Sequence, residues 1–172
     1  WFGIERDTWR RVSGDHYDWS YDVDEIGYKA NLSDVAAAIG LAQLGRLDAM
    51  QAARTRRAGR YTDALGDLRW LSLPTVRDGA TSAWHLYVVR LDAADRDAFI
   101  DHLAGAGVAT SVHYRPSHLA AAYRPFAGPL PVSEREWRRV VSLPMFTDLT
   151  DVEQDRVIEA VRAFRPAAVT AR

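Results

Sequence analysis

Residues 33–65 constrain the fold most, because they read as one long helix. Ser33 is a good N-cap, and Asp34 follows in the first turn, where the helix dipole favours an anion. Val35, Ala38, Ile39, Ala42, Leu47 and Met50 recur at helical spacing, with Leu41 and Leu44 widening the apolar stripe. Gly66 is a plausible stop. The start, Ala36 to Ala42, is small and apolar, which lets another backbone come close. Arg54 to Arg60 is strongly basic and reads as solvated. So long a helix exceeds what a small sheet needs, so part of it should pack outside the layer that follows.

That layer is legible in outline. Trp70-Leu71-Ser72-Leu73, Ala83 to Leu91 and Val108 to Tyr114 are strand candidates, the second rich in aromatic and β-branched residues. Asp95 to Gly105 reads as a helix. Ser133 to Val140 reads as another, opened by a capping-box pattern of Ser133 with Glu136. Thr150 with Glu153 repeats that pattern ahead of a last helix to about Phe164, and Val141 to Phe146 reads as an extended link. The fold class is therefore α+β: a long helix, then a small, largely antiparallel three-stranded sheet with helices on one face. The expected organisation is an irregular segment over 1–32, the helix over 33–65, a small domain over 66–165 and a tail over 166–172.

Composition narrows the function. The chain has 172 residues and no cysteine, so disulfides, thiolate metal sites and thiol nucleophiles are excluded. A net charge of −1 gives no global pull toward nucleic acid or acidic membranes. No apolar stretch approaches the ~20 residues needed to cross a bilayer. Of the 22 basic residues, Lys29 is the only lysine, so any Schiff base formed by this chain must use it.

Two regions can carry chemistry. Gly27 to Asp34 joins an irregular stretch to a helix N-terminus, where free amides and the dipole suit an anion, and Lys29 and Asn31 add a cation and an amide donor. A phosphate there and a plainly capped helix with a polar approach both remain open. His113 and His118 follow a strand candidate in His113-Tyr114-Arg115-Pro116-Ser117-His118, a strand-end loop that suits hydrogen bonding to a substrate and equally suits packed histidines whose nitrogens bond to backbone. No carboxylate stands beside them, and no metal site is expected. His85 reads as a structural histidine on a strand, and His16 and His102 as solvated. No GxSxG, P-loop or HExxH pattern occurs.

Gly27 to Leu47, GYKANLSDVAAAIGLAQLGRL, resembles the signature of sugar aminotransferases of the DegT/DnrJ/EryC1/StrS family. Phe2 to Asp7, Ala83 to Tyr87, Gly107 to His118 and Ser142 to Phe146 match further family segments in the same order, over about residues 2–164. The resemblance implies the C-terminal small domain of a type I pyridoxal-phosphate (PLP) enzyme, with residues 33–65 as its interdomain helix. Family members are cytoplasmic homodimers with shared active sites. They move an amino group, usually from glutamate, to a keto group of a nucleotide-linked sugar for amino-sugar, surface-polysaccharide or antibiotic-sugar pathways. Gly27-Tyr28-Lys29, which opens that signature, resembles family branches that act on 4-keto sugars. The resemblance further implies that no catalytic residue lies here, the Schiff-base lysine being expected upstream of Trp1. Asn31 and Lys29 would reach the cofactor phosphate of the partner subunit, and His113, Tyr114 and His118 would face the sugar-nucleotide. The alternative is a non-catalytic module that binds a nucleotide-sugar or phosphate, or that only dimerises.

Overall fold

The computed structural model describes residues 12–13, 16–17, 26, 28 and 31–167. The chain divides into two compact units, Trp1–Arg46 and Leu47–Arg172. In the first, β1 (Val12–Ser13) pairs antiparallel with β2 (His16–Tyr17). Helix α1 (Asp34–Leu44) follows, capped by Ser33, whose Oγ accepts from the Ala36 amide at 3.3 Å. Its apolar side chains Val35, Ile39, Leu41 and Leu44 are exposed.

The single helix expected over 33–65 is two helices. The ladder breaks at Gly45 and Arg46, where the Arg46 amide reaches back only three residues, to Gln43 O at 3.0 Å. Glycine is among the poorest helix formers, and a tightened last turn satisfies the carbonyls it leaves. Helix α2 (Leu47–Leu65) then opens the second unit.

The second unit is built on two antiparallel strands, β3 (Tyr87–Arg90) and β4 (Val140–Leu143), in the register Tyr87↔Leu143, Val88↔Ser142, Val89↔Val141 and Arg90↔Val140. Ser72 is bridged to Arg90 on one side and Ser111 to Ser142 on the other. The expected three-stranded sheet is corrected accordingly. Two of its candidates contribute only single bridges, and the segment read as a link holds β4. The remaining strand begins only at Tyr87, because Trp84 takes a φ of 46° while its amide bonds to Ser82 Oγ. A left-handed bulky residue cannot continue a strand.

Alternation sorts the sheet into two faces. Tyr87, Val89, Val141 and Leu143 enter the core, where they meet Tyr61 and Leu65 of α2, Phe99 and Leu103 of α3 (Arg96–Gly105), and Val157 and Val161 of α5 (Asp151–Ala163). Trp70, Phe99, Phe164 and His102 pack ring against ring at centroid distances of 5.1–5.7 Å, edge to face except for the tilted Trp70–Phe164 pair. Burial pushes the Tyr61 hydroxyl's pKa up, and that hydroxyl donates to Pro144 O at 2.9 Å. Val88, Arg90, Val140 and Ser142 belong to the opposite face.

Three local expectations change. Arg57 and Arg60 are not simply solvated: they donate to the carbonyls of Leu149 and Asp151 at the start of α5. His102 is half-buried, its Nε2 2.9 Å from Ala160 O, tying α3 to α5. Helix α4 runs over Pro131–Trp137, two residues ahead of its expected start, because Pro131 occupies the first helical position with φ preset. The Thr150–Glu153 capping box of α5 forms as read, with Thr150 N to Glu153 Oε2 at 2.7 Å and Glu153 N to Thr150 Oγ1 at 3.2 Å. Among the described residues no helix is long and apolar enough to cross a membrane.

Candidate functional site

The core-averse face of the sheet carries the site, and Gly107 aims the chain at it. With φ +72°, Gly107 ends α3 in a conformation that side chains rarely adopt, and a Cβ there would meet Arg156 Nη2 at 2.5 Å. The chain then runs to Ser111, which bridges Ser142, and so sets His113 above β4. His113 Nδ1 lies 2.8 Å from Ser142 Oγ. The Tyr114 ring meets His113 edge-on at 4.7 Å and is 73% exposed.

Pro116 then turns the chain into a short 3-10 segment, Ser117–Leu119. This brings His118 against α4, its Nε2 3.2 Å from Glu134 Oε1 and its side chain 11% exposed. Arg115 lies over the Trp137 ring at 6.0 Å from the centroid and donates to Leu119 O. His113, Tyr114 and His118 thus line one open cleft of about 410 Å³ together with Leu130, Glu136, Trp137 and Val140. The hydrogen bond from Arg135 to Glu136 holds that carboxyl below its usual range, and Arg139 and Arg90 act in the same direction. The cleft therefore combines two imidazoles, a phenol, an aromatic wall and a carboxylate whose charge the surrounding arginines offset. Such a lining suits a ligand rich in hydroxyl groups.

The remaining site expectations fall elsewhere. Lys29 lies outside the described residues. Asn31 is exposed, two residues before the cap of α1, in the first unit. His85 is not a structural strand histidine: it is exposed at a bend ahead of β3. His16 is the first residue of β2. Among the described residues no group of three or more acidic or histidine side chains is placed to hold a metal. Reading the sequence missed Glu134, Trp137 and Ser142. Ser142 had a signal: it alternates with Val141 and Leu143, so a polar side chain on that strand belonged to the face away from the core.

This helix-and-sheet packing is an α+β domain, and its structural neighbours are aminotransferases. The chain belongs to the DegT/DnrJ/EryC1/StrS aminotransferase family, whose model matches residues 1–162. It is 38% identical over 169 positions, 93% of this chain and 43% of the relative, to the spore coat polysaccharide biosynthesis protein SpsC of Bacillus subtilis (strain 168). The crystal structure of the aminotransferase TlmJ from Streptoalloteichus hindustanus aligns with a TM-score of 0.75 and 36% identity, over 99% of this chain and 43% of that one. Spr1654 from Streptococcus pneumoniae, solved in a PMP-form, aligns with a TM-score of 0.74 and 28% identity over 93% and 41%. The chain thus spans about two fifths of the length of the proteins it matches.

Proposed function

We propose that this chain is the C-terminal part of a PLP-dependent aminotransferase. It would move an amino group from glutamate to the 4-keto group of a nucleotide-linked sugar, for amino-sugar, cell-surface polysaccharide or antibiotic-sugar biosynthesis. The observation that carries the reading is the cleft: His113, Tyr114 and His118, named from the family loop, line one cavity on the free face of the sheet. The polysaccharide role of SpsC and the PMP-form of Spr1654 support the sugar and the cofactor.

The residues present fit the phosphate of PLP. Ser33 Oγ takes the Ala36 amide, which leaves the amides of Asp34 and Val35 without an intrahelical acceptor, and the exposed Asn31 amide stands just ahead. Asn31, helped by Lys29, would hold that phosphate in the partner subunit of a cytoplasmic homodimer whose active sites are shared. When bound, PLP supplies the electron sink for amino transfer. The lysine that the cofactor requires would come from the part of the family's length that this chain does not span. The residues here bind and orient: His113, Tyr114 and His118 hold the sugar-nucleotide so that its keto carbon faces the reacting amine.

The test uses the full-length enzyme with glutamate and a nucleotide-linked 4-keto sugar. His118→Ala raises KM for the sugar-nucleotide about tenfold, the size of one lost hydrogen bond to a polar ligand. A variant with wild-type KM and kcat overturns the cleft assignment. A wild-type full-length protein that binds the sugar-nucleotide but transfers no amino group leaves the non-catalytic module as the function.

A further inference from the structure

We propose that Ser142 and Glu134 are positioning residues that fix which ring nitrogen each histidine of the cleft offers to the substrate. The inference rests on the reading of this cleft as the sugar-nucleotide site.

Ser142 is 4% exposed. Its backbone is held from both sides, by register with Val88 in β3 and by two hydrogen bonds with Ser111, at 2.7 and 3.3 Å. Its Oγ therefore has a fixed place, and its one hydrogen-bond partner among the described residues is His113 Nδ1. A buried hydroxyl is costly to leave unpaired, so the contact is maintained from the serine side as much as from the histidine side. With Nδ1 engaged, Nε2 is the nitrogen that His113 has left for a ligand.

His118 is held the other way round. Its Nε2 meets the Glu134 carboxylate, which only accepts hydrogen bonds, so the proton of that contact sits on Nε2. Glu134 is itself anchored: its amide donates to Leu130 O at 3.0 Å, and Arg138 lies 3.9 Å from its other oxygen. The nitrogen left to His118 is Nδ1, and in the neutral ring it is an acceptor. Among the described residues the one hydrogen bond of each ring is to Ser142 and to Glu134, so Nε2 of His113 and Nδ1 of His118 are without a hydrogen-bond partner there.

The two imidazoles are thus pinned through opposite nitrogens by two separate elements, β4 and α4. The consequence is chemical. With the ring neutral, His118 offers a lone pair that matches a hydroxyl of the sugar, which donates; with the ring charged, Nδ1 donates instead. The Ser142 hydroxyl can donate or accept, so His113 retains both options toward the ligand.

The experiment compares variants of the full-length holoenzyme in steady-state kinetics, with thermal midpoint and cofactor absorbance as folding controls. Glu134→Leu keeps the volume and removes the acceptor. It raises KM for the sugar-nucleotide about fivefold, with KM for glutamate unchanged. Glu134→Gln, which keeps an acceptor oxygen, restores most of the loss. Adding Glu134→Leu to His118→Ala has no further effect, because the residue acts through the ring. Ser142→Ala is independent of both and raises the same KM, and Ser142→Thr rescues it. If the histidine variants raise KM while Glu134→Leu and Ser142→Ala leave it at wild type, positioning is overturned and the cleft reading survives. If His113→Ala and His118→Ala leave KM unchanged, the cleft reading fails and takes the positioning with it. Additive losses in the Glu134→Leu/His118→Ala pair also overturn the proposal.

Discussion

Asn31 stands exposed, two residues ahead of the serine that caps α1. On the proposed phosphate role, Asn31→Ala in the full-length protein should weaken retention of PLP about tenfold, the usual cost of losing one hydrogen bond to a charged group. Dialysis of the holoenzyme, followed by cofactor absorbance, measures it, and unchanged retention removes Asn31 from the phosphate site. At this scale the sequence showed which chemistry-bearing residues stand close together more readily than it showed their surroundings. The cluster of His113, Tyr114 and His118 was legible because it lies within six consecutive positions. His85 and His102 were not, since a histidine's environment depends on where its element starts and what packs on it. A strand that begins at Tyr87 leaves His85 outside, and Ala160 of a distant helix supplies the acceptor for His102. Glu134 and Ser142 escaped notice for the same reason: each matters through a contact distant in sequence.

Helix starts give the clearest contrast between elements. Both Ser133 and Thr150 are followed three positions later by glutamate, yet only Thr150 forms the reciprocal pair of bonds. Thr150→Ala should therefore cost about 1 kcal/mol. Ser133→Ala should stay within about 0.5 kcal/mol, because that serine caps nothing. Denaturant midpoints distinguish the two, and equal losses would contradict the observed start of α4. The capping motif is a local signal, and a proline two residues earlier overrides it by setting the backbone first. The same logic splits the long helical stretch. Apolar spacing continues through Gly45 and Arg46, but spacing reports which face is apolar and not whether every turn closes. β4 was overlooked because four residues between a helix and a proline carry too little pattern of their own, and pairing with β3 makes them a strand.

Across the second unit, charge pairs set how the fold responds to acid. Asp67 is held below its usual range by its hydrogen bond from Arg162, Glu136 by that from Arg135, and Glu153 by the amide and hydroxyl of Thr150. A carboxyl with a depressed folded pKa contributes stability that is full above its unfolded value, about 4, and lost as pH falls through the folded value. Thermal midpoints should therefore be level near neutrality and decline on acidification below about pH 4, less steeply in an Asp67→Asn/Glu136→Gln variant. A midpoint that rises on acidification would contradict the assignment. The two faces of the β3–β4 pair carry a different consequence. Side chains alternate along β4, so a slip of one residue against β3 would carry Ser142 into the hydrocarbon interior and turn Val141 toward His113. One misregistration would thus cost the chain its oil-filled side and its cleft-lining side at once. Inserting or deleting a single residue in β4 is therefore an all-or-nothing change, and no variant of that kind should keep a stable domain with a blunted cleft.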